Sequence, residues 1–343
     1  MRAVVYDRPR SWAVAEVPTP TPGAGDVLVK VLMAGVCGTD RHLHEGEFGA
    51  RFPLTPGHEM FGKVVALGSG VQTLIEGDHV VMDNSWSCGQ CEECRRGMGH
   101  FCHVWESQGV NLPGGFAEYV VVRETKCWKV NGLAPEVAVL AEPTACVVHG
   151  LDKLAMRPGS SVAIFGAGPT GLILTQLMLA AGAFDVTVCA PSPFKLDLAR
   201  DRGATRTVTT HRGDPSATMR AIAEVAPSGF DVVIDATGAM EMLEIAIPLT
   251  RTGGTVLVYG MTREDDTWPI SPFEVFRREI SIVGSVSQIN CFDRAVVALR
   301  NGVVSGEGLV THQFGLEEYG DALAASADSA CIKAVIVPHG LTT

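Results

Sequence analysis

The segment SVAIFGAGPTGLILTQLMLAAGAFDVTVCA, residues 161–190, constrains the fold more than any other part of the chain. It opens on an unbroken apolar run, turns through glycines, continues as a helix-length apolar segment and closes on a second β-rich run. A strand that is apolar throughout, without alternation, is covered on both faces, so the segment reads as strand–helix–strand in a parallel sheet. Its turn, Gly166-Ala167-Gly168-Pro169-Thr170-Gly171, carries the spacing GxGxxG. Alone that pattern is weak. Between a strand and a helix, with a second strand about twenty residues on, it marks a dinucleotide site. Gly166 permits the tight turn, Gly168 lets the backbone approach a pyrophosphate, and Gly171 lets the helix pack close to the strand. Pro169 and Thr170 complete the loop at the positive helix end, where the pyrophosphate is expected.

The same rhythm continues beyond it, with strand candidates at 205–210, 230–238, 254–260 and 280–285. Alternating strands and helices predict an α/β, doubly wound parallel sheet, the Rossmann arrangement. Before it, 27–35, 61–68, 78–83 and 116–122 are short Val-rich runs separated by Gly and Pro, the pattern of a β domain. A chain of 343 residues exceeds what one core usually carries. Boundaries are therefore expected at 1–150, 151–285 and 286–343, the last holding a helix candidate at 290–301 and a strand-like KAVIVP at 333–338.

The strand DVTVCA ends at Ala190, followed by Pro191, Ser192, Pro193, Phe194 and Lys195. NAD-binding proteins usually place an acid at that end to hold both ribose hydroxyls. None is present, while Ser192 can donate a hydrogen bond and Lys195 a charge to a 2′-phosphate. NADP is expected over NAD, with incomplete selectivity because 190–195 contains no arginine.

CGQCEECRRGMGHFC, residues 88–102, holds Cys88, Cys91, Cys94 and Cys102 with gaps of two, two and seven residues. No stretch of 18 apolar residues and no cleavable leader is evident, so the chain reads as cytosolic, with no membrane partner. In that reducing setting ten cysteines are too sparse for a disulfide scaffold. Bacterial iron–sulfur runs use a third gap of three residues and a following proline; here His103 follows. Four thiolates with these gaps suit a closed tetrahedral zinc, iron and metal-free thiols being the other readings. A closed shell leaves no position for substrate. The net charge of −11, with no basic stripe, argues against nucleic acid.

Cys37 in AGVCGTDRH, His58 and Glu59 in TPGHEMFG, and Glu142 in LAEPTA each have an ordinary structural account when taken singly. Together with the four-cysteine run and GAGPTG, in this order, they make a chain that resembles the zinc-dependent medium-chain alcohol and polyol dehydrogenases over nearly its whole length. The resemblance implies a GroES-like β-barrel catalytic domain at about 1–150 and 286–343, split by the coenzyme domain. It implies two zinc ions per chain. The catalytic one would be held by Cys37, His58 and either Glu59 or water, with Glu142 nearby. Glu142 stands where other alcohol dehydrogenases of the family carry a second cysteine ligand, the pattern of the polyol enzymes. Thr39 and His42 fall at the offsets of the family's proton relay, and the role of Asp40 stays open.

The implied reaction is reversible oxidation of a polyol or other secondary alcohol, D-arabinitol-like, to a ketose by a homotetramer. Threonine-type, simple secondary alcohol and aldose 1-dehydrogenases are the neighbouring readings. A non-catalytic relative would be expected to lose zinc ligands, and Cys37, His58 and Glu142 are all present. Pocket walls are expected from loops such as 43–55 and 104–112 and from segments near 260–290.

Overall fold

A computed structural model describes residues 1–340. The chain forms two compact units. The first comprises Met1–Ala145, Ile289–Gly302 and the chain from Gly306 onward; the second comprises Cys146–Gln288 with Val303–Ser305. The division falls inside the helix Ala141–Asp152. Among the described residues, no helix is long and apolar enough to cross a membrane.

The second unit is built on a six-stranded sheet in the order Arg206–Thr209, Asp185–Ala190, Ser161–Phe165, Phe230–Asp235, Thr250–Val258, Ser281–Gly284. Every neighbouring pair is parallel. The central strand SVAIF is buried at all five positions, as an apolar run without alternation requires. Chain direction across the sheet reverses between Ser161–Phe165 and Phe230–Asp235. That reversal opens the crevice at the carboxyl ends where doubly wound sheets take their ligands. The strand expected at 254–260 begins earlier, at Thr250, with a register irregularity between Phe230 and Val232 of its neighbour.

In the first unit a seven-stranded sheet runs in the order Val310–Phe314, Lys333–Ile336, Asp26–Gly35, Glu59–Leu67, His79–Met82, Cys127–Lys129, with Tyr119–Arg123 also paired to Asp26–Gly35. The strand Asp26–Gly35 alternates half-buried and buried positions along most of its length, the period of a strand with one face on a core. Val27, Val29 and Val31 supply that face and pack in one cluster with Val4, Tyr6, Phe116 and Tyr319. Each such side chain contributes roughly 1.5–3 kcal/mol relative to exposure. Arg2–Arg8 and Ser11–Glu16 form a separate hairpin.

Candidate active site and metal centres

The strand Asp26–Gly35 ends two residues before Cys37, and the eight-residue helix Gly38–Glu45 begins immediately after it. Asp40, in the first turn of that helix, turns its carboxylate back to accept the Cys37 amide at 2.8 Å. This cap fixes the direction of the Cys37 side chain. The opposite wall is the strand Glu59–Leu67, whose register sets Gly35 beside Glu59. Glycine leaves room there: a Cβ at Gly35 would meet the Glu59 carboxylate and the Lys333 stem, and both side chains would have to shift. The same pairing brings His58, just ahead of the strand, to the site.

Cys37, His58 and Glu59 thus converge, with one ligand atom of each within 4.8 Å of the others. His58 and Glu59 are buried and Cys37 is half-buried. Behind His58, Asp40 Oδ1 lies 3.7 Å from Nδ1. Burial works against a charged imidazole, but Asp40 and the Cys37 sulfur outweigh it and raise the His58 pKa well above its ordinary value. Behind Glu59, Lys333 makes a close ion pair in which the two side chains are only 3% and 1% exposed. Burial disfavours that ammonium, yet Glu59, Cys37 and Glu142 together hold its pKa above the usual lysine value.

A half-buried thiol with a buried imidazole and carboxylate within mutual reach, backed by further charges, would suit an open zinc site. An ion about 2.0–2.3 Å from each would fit these separations. Asp40 stands behind the imidazole, where an outer-sphere carboxylate would orient a histidine ligand. Glu142, in the first turn of Ala141–Asp152, is buried and lies outside the 4.8 Å group, though close enough to act on Lys333.

Thr39 and His42 both lie on the helix Gly38–Glu45, three residues apart and so on one face. Thr39 Oγ1 is 3.9 Å from Cys37 Sγ. His42 Nδ1 meets Glu47 Oε2 at 2.6 Å, toward solvent. The span expected as the loop 43–55 is therefore helical over its first three residues, and Glu59 is the first residue of its strand and not a residue before it.

The second cluster is separate. Cys88, Cys91, Cys94 and Cys102 bring their sulfurs within 4.8 Å of one another. The Cys88 and Cys94 sulfurs are 3.9 Å apart, and a tetrahedron with Zn–S bonds of about 2.3 Å has edges of about 3.8 Å. The amides of Gln90 and Cys91 donate to Cys88 Sγ at 3.4 and 3.3 Å, and the Cys88 amide donates to Cys102 Sγ at 3.4 Å. The Gln90 and Cys91 amides lower the Cys88 thiol to about 6, whereas the neighbouring Cys91 thiol, despite the Cys94 amide, is pushed up to about 12 by burial and its contacts with Cys94 and Glu93. Among the described residues, no cysteine is in a disulfide. The segments on either side of the cysteine run pair antiparallel, Ser85–Trp86 with Glu106–Ser107.

In the second unit, Gly166 has φ 106°, and a Cβ at Gly171 would strike the Gly166 carbonyl, so both positions demand glycine. Gly168 caps the helix Pro169–Ala180, Pro169 is its first residue and Thr170 follows in the first turn. That turn's amides have no partner within the helix, and nothing lies within 4 Å of where a Gly168 Cβ would stand. The loop fits a pyrophosphate. Ala190 ends its strand buried, and Ser192 caps the next helix without a side-chain capping bond; Lys195 is half-buried in that helix.

Two residues escaped sequence reasoning. Lys333 is one; its signal was a single lysine opening the apolar run KAVI. Asp235 is the other. Buried at the end of its strand, it accepts from Thr237 N (3.0 Å), Thr237 Oγ1 (2.5 Å) and Gly238 N (3.2 Å), locking a turn whose Thr237 methyl packs on Gly166.

Two family signatures match the chain: the alcohol dehydrogenase GroES-like domain over residues 23–132 and the zinc-binding dehydrogenase domain over residues 169–299. D-arabinitol dehydrogenase 1 of Uromyces fabae is 43% identical, the match covering 99% of this chain and 97% of that protein. D-altritol 5-dehydrogenase of Agrobacterium fabrum is 35% identical over 93% of this chain and 94% of its own length. A Sinorhizobium meliloti 1021 protein described as a zinc-binding dehydrogenase, solved bound to NADP, superposes with a TM-score of 0.93 at 35% identity. It covers 98% of this chain and 99% of its own.

Proposed function

Because the chain belongs to the zinc-dependent medium-chain dehydrogenases, in the branch that holds the polyol dehydrogenases, we propose that it oxidises a sugar alcohol reversibly at a secondary carbon. The product is a ketose, and the hydride passes to NADP in preference to NAD. A D-arabinitol-like pentitol is the substrate class best supported, since the relative of that name matches over nearly the full length of both chains.

The observation that carries the reading is the convergence of half-buried Cys37 with buried His58 and Glu59. With Glu142 nearby, these residues would hold the catalytic zinc, and Cys88, Cys91, Cys94 and Cys102 a second, closed one. The catalytic zinc would supply a Lewis acid that lowers the pKa of a substrate hydroxyl by several units, and the coenzyme a nicotinamide that accepts hydride. The chain's own residues do the rest. Thr39 Oγ1 takes the hydrogen bond of the reacting hydroxyl, and His42, paired with Glu47, passes its proton toward solvent. Asp40 holds His58 in orientation, and Lys333 restrains Glu59. Gly166, Gly168, Pro169, Thr170 and Gly171 seat the pyrophosphate, with Ala190, Ser192 and Lys195 at the adenosine ribose. We assign the catalytic role to the first unit and coenzyme binding to the second, in a cytosolic homotetramer, as the family resemblance implies.

The test is a kcat/KM panel of pentitols, hexitols, simple secondary alcohols and L-threonine against both coenzymes. A pentitol with NADP should rank highest. No polyol-dependent reduction of either coenzyme, or a tenfold preference for L-threonine or a simple alcohol, overturns the reading.

A further inference from the structure

We propose that Arg212 is the cation that meets the 2′-phosphate of NADP, an inference that rests on the coenzyme preference above and deepens it. Segment 190–195 contains no arginine, but the neighbouring strand brings one to the same corner. Arg206–Thr209 runs parallel to Asp185–Ala190 with Thr209 opposite Ala190, and the Thr210 amide donates to the Ala190 carbonyl at 3.1 Å. The turn after it is then tied down: His211 N donates to Thr218 Oγ1 at 2.8 Å and Gly213 N to Glu241 Oε2 at 2.8 Å. Arg212 sits between these ties, at the carboxyl end of the sheet beside the 190–192 loop. Its side chain is exposed and, among the described residues, makes no hydrogen bond or ion pair.

Four other charged residues near this corner are committed. Arg206 is held by Asp185 at 2.6 Å and Arg200 by Asp197. Asp214 caps its own helix by accepting Ala217 N at 2.8 Å, and Glu241 is taken up by Gly213. On the facing side, Ser192 heads the nine-residue helix Pro193–Asp201 with its hydroxyl unused for capping and no acid in the first turn. An anion at Ser192 would thus meet a helix N-terminus, a free hydroxyl and a guanidinium. A guanidinium is the side chain best matched to a phosphate, since it donates in a planar fork.

The test uses equilibrium binding to the zinc-loaded enzyme without alcohol, followed by fluorescence, with NADPH, NADH, 2′-AMP and 5′-AMP as probes. Arg212→Ala should weaken NADPH and 2′-AMP by about ten- to a hundredfold, the usual worth of a hydrogen bond to a charged group, and leave NADH and 5′-AMP within about twofold. Arg212→Lys should fall between. Equal changes for NADPH and NADH, or no change in either, overturn the assignment while leaving an NADP preference of the unsubstituted enzyme intact. A wild-type enzyme that binds NADH more tightly refutes the coenzyme preference. In that event the 2′-AMP arm still decides Arg212: an unchanged affinity refutes its role and a tenfold loss upholds it.

Discussion

Lys333→Met tests the charge balance behind the metal centre. The substitution keeps most of the stem's volume and deletes the ammonium that faces Glu59. Both side chains are almost wholly buried, at 3% and 1% exposure, so the carboxylate would lose its counter-ion without gaining water. Breaking one side of such a pair costs about 3–5 kcal/mol, because the remaining charge is buried alone. With a urea slope of about 2–3 kcal/mol per molar, the midpoint of the first unit should fall by roughly 1–2 M. Trp12, Trp86, Trp105 and Trp128 lie in that unit and Trp268 in the other, so intrinsic fluorescence in a Trp268→Phe background follows it selectively. The loss should be largest in chelated protein and smaller with zinc present, since a cation near Glu59 replaces part of what Lys333 supplied. Glu59→Gln combined with Lys333→Met removes both charges and should recover at least about 2 kcal/mol of the single loss. If Lys333→Met unfolds within about 1 kcal/mol of wild type, or the double variant is no more stable than the single, the buried pair is not what holds Glu59.

The two cysteine sets should separate cleanly. Zinc-replete protein should carry two equivalents per chain; Cys37→Ser should lose one together with turnover while remaining folded. Cys94→Ser should lose the other and make residues 88–102 protease-sensitive, because metal and local fold are linked there. Glu142→Ala should depress turnover far more than coenzyme affinity measured by fluorescence, and unchanged turnover would leave it a helix-start carboxylate. Asp78 offers a pH test. Burial opposes its charge, but bonds from Asn131 and the Ile75 amide and the Lys129 ammonium lower its pKa to about 2. A depressed carboxylate stabilises the fold above its unfolded pKa and loses that stabilisation as pH falls toward 2. Asp78→Asn should therefore flatten the fall in urea midpoint below pH 4; an unaltered acid limb excludes Asp78 as a contributor.

What could be read from the chain alone was whatever is local. The glycine turn, the unbroken apolar strands and the cysteine gaps each report on neighbours a few residues away, and sequence periodicity encodes that directly. The helix Gly38–Glu45 was not legible: GTDRHLHE begins on glycine, has one buried apolar residue, Leu43, and is held by the Cys37–Asp40 cap and the strands around it. Lys333 was illegible for a different reason. A lysine opening a strand is ordinarily exposed, and what buries this one is Glu59, a partner distant in sequence. The start of Thr250–Val258 was missed because Thr250-Arg251-Thr252-Gly253 reads as a turn and is recruited by pairing with Phe230.

The strand Lys333–Ile336 also sets an order of events during synthesis. It pairs with Asp26–Gly35 through Gly35 and Ala34, and the Val36 amide, next to Cys37, donates to the Ala334 carbonyl at 2.9 Å. The residues that converge on the metal leave the ribosome long before the strand that pins them and the lysine that faces Glu59. At 5–20 residues per second that is a wait of roughly fifteen to sixty seconds, during which the Val36 amide lacks its Ala334 partner and Glu59 lacks Lys333. The site can mature only after translation has passed Ile336. A tag or truncation at that strand should therefore damage metal capture near residue 37 without changing a single ligand.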